Sequence, residues 1–279
     1  MENLKAIKDR INTVDSIIKA TNAMKMVSTV KLSKINNTNK YALLCAEKLF
    51  VMLRSAINEA FFENDIDNNF WMTRHDGKTL VLIMSTDQGF CGSFNQSIIE
   101  ESNKILSNNK DAKIKVVGRK GIIFGHENII DNIKSRYDII DHARVVSNIV
   151  VDNIKNEDVS RVIVVSGHFK NVLVQNAKSQ QIFPIIENNN LEKREYTKIE
   201  GNRIEFIESL FEMYMKELFI GIITEHLISE LSSRTMAMDN SVRNAKDMFK
   251  NLSVLYNRTR QAKITQELTE IVSSIECVE

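Results

Sequence analysis

A glycine-containing loop is the part of the sequence whose residue types most suggest chemistry. It runs from Ser85 to Ser97, reads STDQGFCGSFNQS and follows an unbroken apolar run. A dinucleotide-binding loop needs the pattern GxGxxG, and a P-loop needs GxxxxGK followed by serine or threonine. Only Gly89 and Gly92 are present here, and Phe90 stands where a phosphate would have to approach. We interpret the loop as a strand-to-helix turn; a phosphate site is the open alternative, since a helix N-terminus binds anions without a motif.

The cysteines and histidines form no catalytic or metal-binding pattern. The three cysteines, Cys45, Cys91 and Cys277, are far apart, and the five histidines lack the paired spacing of zinc ligands. Cys91 lies beside the expected helix start, which favours a thiolate, but no base or orienting partner follows from the sequence. We therefore expect Cys91 to be a packing residue and the histidines to lie on the surface or in loops. The sequence predicts no catalytic residue, no metal and no cofactor.

Composition and charge limit the class of protein. The 279 residues are 43% apolar, which is enough for a sizeable core, and the net charge is +1. A nearly neutral chain has no overall attraction to nucleic acid or anionic lipid. No window approaches the roughly 20 apolar residues of a membrane span, and the N-terminus lacks a signal-peptide core or an arginine-rich transit segment. We therefore expect a soluble chain that is not exported.

Both ends of the chain have the spacing of long helices. Apolar residues step by three and four over residues 4–18 and again over 238–275, which is typical of a narrow coiled-coil seam. The first helical pattern continues through about Asn58. Because one long helix cannot bury such a stripe alone, we predict a long antiparallel coiled coil built from residues 1–60 and 202–279.

The middle of the chain alternates strand and helix patterns. Short β-branched runs predict three buried strands, at residues 80–84, 114–117 and 162–165. This alternation is typical of a largely parallel, Rossmann-like sheet. Residues 171–186 have the pattern of a hairpin or an added edge strand, where Pro184 is tolerated. The predicted fold class is α/β, with a compact domain at residues 77–200 inserted into the coiled coil.

Positive charge is concentrated on the helical ends. Residues 1–60 contain ten Lys and Arg against five Asp and Glu, and residues 241–263 contain six Lys and Arg against Asp247 alone. Such a surface attracts an acidic protein or nucleic acid. Nucleic-acid readers usually interleave aromatic residues or carry a recognised motif, and these ends have neither. A protein partner is therefore favoured, and no nucleic-acid partner is predicted.

Five blocks of the sequence resemble one family. They read AMKMV at 23–27, DQGFCGSFN at 87–95, VGRKG at 117–121, MAMDNSVRNA at 236–245 and YNRTRQAKITQELTEIV at 256–272. In this order they resemble the gamma subunit of the F-type rotary ATP synthase, and the resemblance extends over essentially the whole chain.

The resemblance implies a central stalk. The terminal helices would form an asymmetric shaft inside a ring of alpha and beta subunits, and the α/β domain would sit on the membrane c-ring beside the epsilon subunit. Proton flow would turn the shaft, which would drive each beta subunit through its conformations. Catalysis and nucleotide binding would belong to the ring, so this chain is expected to be non-catalytic. We expect it on the cytoplasmic face of a bacterial inner membrane; a processed mitochondrial chain is the alternative.

The resemblance also implies partner-contact residues. By matching positions, Met24 and Lys25 would lie near an acidic segment of a beta subunit. Further matching positions, where the shaft would contact the ring, are Arg234, Arg260, Gln261, Thr265 and Glu267. Without this role each would be an ordinary exposed helix residue.

The sequence departs from the family pattern in two places that matter here. Gln88 stands where arginine is common, and residues 273–279 read SSIECVE instead of a small-residue tail. An ion pair at the loop and the packing of the tail therefore do not follow from the resemblance. Two other functions stay open: a coiled-coil adaptor, which would need no membrane complex, and an enzyme whose α/β domain binds a nucleotide.

Overall fold

A computed structural model of the chain describes residues 4–35, 39–62, 77–130, 138–156, 159–171, 174–185 and 201–276. The helices in these ranges are α1 (Leu4–Ile35), α2 (Asn39–Phe62), α3 (Phe94–Asn108), α4 (Ile139–Asn156) and α5 (Arg203–Glu276). The strands are β1 (Lys78–Met84), β2 (Lys113–Val117), β3 (Val159–Phe169) and β4 (Gln175–Phe183). Two short 3₁₀ segments, Arg119–Phe124 and His126–Asn128, follow β2.

The strands form one sheet in the order β2-β1-β3-β4. β1 pairs in parallel with β2 and β3, whereas β4 pairs antiparallel with β3. Each predicted strand run lies inside one of the first three strands, and the predicted edge addition is β4. Pro184 directly follows β4, where its missing N–H costs no ladder hydrogen bond. The largely parallel sheet with an edge strand is therefore confirmed.

Both faces of the sheet are covered by apolar side chains. Alternate residues of β1 point to opposite faces, so Leu80 and Leu82 join one cluster while Val81 and Ile83 join another. The first cluster includes residues of α2, α4 and α5, and the second includes Phe94 of α3. Each fully buried Leu, Ile or Phe side chain contributes about 1.5–3 kcal/mol. Burial on both faces explains why β1 is continuously apolar.

Helix α5 is 74 residues long and contains a single glycine, Gly221. A glycine inside a helix costs about 1 kcal/mol relative to alanine. A Cβ at this position would lie 2.8 Å from Cδ2 of Leu43 on α2, so the end of the leucine side chain would have to move. The glycine therefore permits close packing of α2 against α5.

By its internal contacts the chain divides into two compact units. The terminal unit comprises Met1–Thr29 and Arg234–Glu279, and the sheet unit comprises Val30–Ser233. The division of the chain into residues 1–60 plus 202–279 and an inserted domain at 77–200 stays a prediction. The first helical pattern is present as α1 and α2, and residues 36–38 between them lie outside the described residues.

Candidate partner-contact site

Burial on α1 repeats every seven residues in the terminal unit. The buried residues are Ile7, Val14, Thr21 and Ser28. The residues three positions before each of these are partly buried, and they are Leu4, Ile11, Ile18 and Lys25. This is the two-position repeat of a coiled-coil seam. The seam is apolar as far as Ile18 and polar from Thr21 onward, so its two halves differ chemically.

The matching seam on α5 lies between residues 238 and 256. Met238 and Val242 are buried, and the next seam positions, Ala245, Phe249, Leu252 and Tyr256, are partly buried. From Arg260 to Ser273 every residue is exposed. We call residues 260–273 the exposed segment of α5. It carries an uncovered apolar stripe that includes Ile264 and Leu268.

The two helices of the terminal unit are antiparallel. Lys25 of α1 donates a hydrogen bond to Asp239 of α5. On α1, Ile7 lies about five helical turns before Lys25. On α5 the unit begins at Arg234, only just before Asp239, so the α5 residues that pack against Ile7 must come after Asp239 in the sequence. The predicted antiparallel coiled coil of the terminal helices is thus confirmed.

Asp239 is shared between two cations. One of its carboxylate oxygens, Oδ1, accepts from Lys25 Nζ, and Oδ2 accepts from Arg243 Nη2 at 2.6 Å. The hydrogen bond from Lys25, followed by that from Arg243 and the positive charge of both groups, lowers the pKa of Asp239. The carboxylate is therefore held ionised over a wider pH range than in a free side chain.

The predicted contact residues all belong to the terminal unit, but their exposure differs. Met24 is exposed, whereas Lys25 is partly covered and paired with Asp239. Arg234 is buried, with only 6% of its surface exposed, and so differs from the others. The remaining predicted residues lie in the exposed segment of α5 and are Arg260, Gln261, Thr265 and Glu267.

Within the exposed segment the local contacts are weak and run along the helix. The Thr265 hydroxyl donates to the Gln261 carbonyl oxygen at 3.0 Å, and Glu267 lies 3.7 Å from Lys263 one turn away. Such exposed pairs contribute about 0.5 kcal/mol or less. These side chains can therefore leave their local contacts for a partner at little cost.

Asp239 and Arg243 did not emerge from the sequence as site residues. Their spacing of four places them on one helix face, which indicates a local ion pair. The contact with Lys25 joins residues 214 positions apart, and no local pattern reveals it.

The glycine loop of the sheet unit is a strand-to-helix turn, as predicted. It leaves β1 at Met84 and enters α3 at Phe94. The Thr86 hydroxyl lies 2.9 Å from both the Gln88 carbonyl oxygen and the Asn95 Oδ1. Phe90 adopts a φ of 62°, a left-handed conformation that is uncommon outside glycine, and its side chain is exposed. The polar groups of the loop thus hold the turn itself.

Cys91 is buried within this turn. Asn95 Nδ2 donates to its Sγ at 3.2 Å, and Ser233 Oγ of α5 donates to its carbonyl oxygen at 2.7 Å. The cysteine is 2% exposed. Burial with these local hydrogen bonds supports the prediction of a packing residue.

The prediction for the histidines is wrong at two positions. His142 on α4 and His226 on α5 are each 1% exposed. The Gly167 amide donates to Nδ1 of His226 at 3.1 Å, and the His226 ring lies 5.5 Å from the Phe94 ring. Whether a histidine is buried depends on which elements pack around it, so the composition alone could not place these two. His75 lies outside the described residues.

The described part of the chain holds neither a metal-ligand cluster nor a helix that could cross a membrane. Among its residues, no three His, Cys, Asp or Glu side chains are grouped to hold a metal ion. None of its helices combines the length and apolarity that crossing a membrane requires.

Comparison with known proteins identifies the family. A family model described as ATP synthase matches residues 3–278. The ATP synthase gamma chain of Campylobacter jejuni subsp. doylei is 31% identical, covering 99% of both chains. The ATP synthase gamma chain of Mycoplasmopsis pulmonis is 32% identical, covering 98% of this chain and 99% of that one.

Solved structures share the fold. A chain in the Euglena gracilis mitochondrial ATP synthase OSCP/F1/c-ring structure superposes with a TM-score of 0.63 at 14% identity, covering 99% of this chain and 95% of that one. A chain in the Tetrahymena thermophila mitochondrial ATP synthase central stalk/c-ring structure superposes with a TM-score of 0.56 at 23% identity. The match covers 79% of this chain and 98% of that one. Together with the full-length sequence matches, these findings show that the chain belongs to the ATP synthase gamma-chain family.

Proposed function

We propose that the chain is the central-stalk rotor subunit of an F-type ATP synthase and couples proton flow to ATP synthesis or hydrolysis. The observation that carries this is the full-length similarity to ATP synthase gamma chains. Its partners are the alpha and beta subunits of the catalytic ring, the epsilon subunit and the membrane c-ring. The two structural neighbours come from a central stalk and from an OSCP/F1/c-ring assembly, which supports the same assignment.

The terminal unit supplies a surface suited to mechanical coupling. Its seam changes from apolar to polar along α1, and its α5 continues as an exposed segment, so the unit is chemically uneven along its length. A rotating asymmetric surface makes different contacts with each surrounding subunit. Such differential contacts shift a subunit between its conformations, and this is how binding free energy becomes a change of state.

The contact residues belong to the same proposal. Met24 and Lys25 would contact an acidic segment of a beta subunit, and Arg260 would bind a carboxylate through two parallel hydrogen bonds. Gln261, Thr265 and Glu267 would contact the ring nearby. Their exposure and weak local contacts support this role. Arg234, being buried, would act by holding a neighbouring surface in place.

The chain itself is proposed to be non-catalytic and peripheral to the membrane. The loop that most resembled a nucleotide site uses its polar groups to build its own turn. Catalysis would take place on the alpha–beta ring. We place the complex on the cytoplasmic face of a bacterial inner membrane, as the bacterial origin of the relatives supports.

The proposal is tested by affinity purification of the tagged chain from its native membranes. We expect alpha, beta and epsilon subunits to copurify together with ATPase activity. Recovery of the chain alone, or with unrelated partners, from intact membranes would contradict the rotor role and favour an adaptor. Calorimetric titration of the pure chain with ATP tests the alternative that the chain is a nucleotide-binding enzyme, since micromolar binding would show a nucleotide site on this chain.

A further inference from the structure

Two cations of the terminal unit meet at one carboxylate. Lys25 of α1 and Arg243 of α5 each bind one oxygen of Asp239. Lys25 occupies a seam position that is apolar one and two repeats earlier, at Ile18 and Ile11. Two positive groups and one negative group leave the cluster with a positive charge.

The exposure of the three side chains is uneven. The Arg243 side chain is 75% exposed and that of Lys25 is 39% exposed, whereas that of Asp239 is 27% exposed. A guanidinium has five N–H donors and an ammonium has three, so both cations retain donors after binding Asp239. The donors that reach solvent are therefore positive and can be shared with a second carboxylate.

The surface next to the cluster is also basic. Lys246 and Lys250 lie three and seven residues beyond Arg243 on the same face of α5, and both are exposed. Asp247 is the one acidic residue between positions 241 and 263. The positive charges along this face attract an acidic segment over its whole length. The strongest hydrogen-bond donors on the face are the charged groups of the cluster.

We propose that Lys25 and Arg243 together form a docking site for one carboxylate of an acidic protein segment, with Asp239 as the internal counter-ion that occupies the site until the partner binds. The inference rests on the proposed function, because the partner would belong to the alpha–beta ring. It adds Arg243 as a contact residue and Asp239 as a positioning residue that limits affinity. A partner carboxylate competes with Asp239 for the same donors, which keeps the contact reversible.

The direction in which one substitution changes the affinity for the ring distinguishes this inference from a purely structural role of the cluster. Asp239→Asn keeps the size of the side chain but removes the competing charge. We expect the full chain with Asp239→Asn to bind the isolated alpha–beta ring about threefold more tightly, and Lys25→Gln and Arg243→Gln to weaken binding about fivefold each. The two weakening variants should also flatten the dependence of the association rate on salt. Binding is followed by fluorescence of a labelled chain across a salt series.

The matched control is Lys19→Gln, which removes an exposed cation paired with Asp15 at 2.7 Å on the same helix. It should leave ring affinity unchanged, and thermal unfolding verifies that each variant is folded. Weaker binding by Asp239→Asn would assign the cluster to helix pairing and overturn the inference. Equal binding by Lys25→Gln, Arg243→Gln and the control would overturn it as well. Failure of the unmodified chain to bind the ring would overturn the proposed function and this inference together.

Discussion

The sheet unit and the terminal unit bury their side chains in different ways. The sheet unit buries large aromatic and aliphatic residues on both faces of its sheet, among them Phe94, Phe183 and Phe211. In the terminal unit the seam of α1 uses only two positions in every seven residues, and it becomes polar at Thr21. The sheet unit therefore carries its own core, whereas the terminal unit leaves most of its surface exposed. Substitutions should separate the two, with stability changing in the first and coupling in the second.

The largest expected loss of stability follows Phe211→Ala in the sheet unit. Phe211 is completely buried on α5, and its ring lies edge-on to Phe183 at 6.2 Å. Removing the ring leaves a cavity, so we expect the free energy of unfolding to fall by about 3–5 kcal/mol. Denaturant unfolding followed by circular dichroism measures it. Phe206→Ala on the same helix is the control, because Phe206 is 42% exposed and should cost little. Similar losses for both would contradict the idea of a core specific to the buried face.

A smaller loss is expected where the backbone of β3 approaches α3. A Cβ on Gly167 would lie 2.5 Å from Cζ of Phe94 and 3.1 Å from Cβ of Ser229. Gly167→Ala forces these groups apart, which should cost about 1–3 kcal/mol. Gly89→Ala is the matched control, since its Cβ would meet only Lys120 Cε at 3.9 Å. Thermal unfolding of the two variants tests the difference, and an unchanged midpoint for Gly167→Ala would show that this contact is not tight.

The features that depend on local pattern were the predictable ones. The runs at residues 80–84, 114–117 and 162–165 identified the parallel strands because strands buried on both faces are continuously apolar. The heptad spacing identified the seam of α1 in the same way. The burial of His142 and His226 was missed because it depends on which helices pack together. The predicted contact residues came from the resemblance and stay predictions, whereas the Lys25–Asp239 contact required the antiparallel pairing itself.

The sheet unit should also be sensitive to alkaline pH through Tyr214. Burial raises the pKa of this phenol, whose ring lies 5.9 Å from that of Phe50. The folded state therefore favours the neutral phenol. Its contribution is complete below the unfolded pKa of about 10 and is lost as the pH rises toward the raised folded value. Tyr214→Phe should reduce the alkaline loss of stability, measured by denaturant unfolding between pH 9 and 11. Tyr41→Phe, which alters an exposed ring, should leave the alkaline loss of stability unchanged. An equal effect of the two substitutions would mean that Tyr214 is not its source.

The smallest change in stability, and the sharpest contrast with the sheet unit, is expected for Arg260→Ala. Arg260 begins the exposed segment of α5, in which every residue from 260 to 273 is exposed. Its removal should change the free energy of unfolding by less than about 0.5 kcal/mol. In the reconstituted synthase it should lower proton pumping at a given rate of ATP hydrolysis, because a bidentate carboxylate contact would be lost. Arg260→Lys, which keeps the charge but not the planar fork, should be intermediate.

The matched control for this position is Arg258→Ala, two residues earlier on α5 and also exposed. It removes the same charge at a position that the family resemblance does not assign to the ring. Equal loss of pumping from both variants would mean that general positive charge, and not the Arg260 contact, supports coupling. A fall in thermal stability comparable to that of Phe211→Ala would mean that the exposed segment contributes to folding in the isolated chain. Proton pumping and thermal stability are measured independently. Either result would therefore remove the distinction between a unit that stabilises the fold and a unit that transmits force.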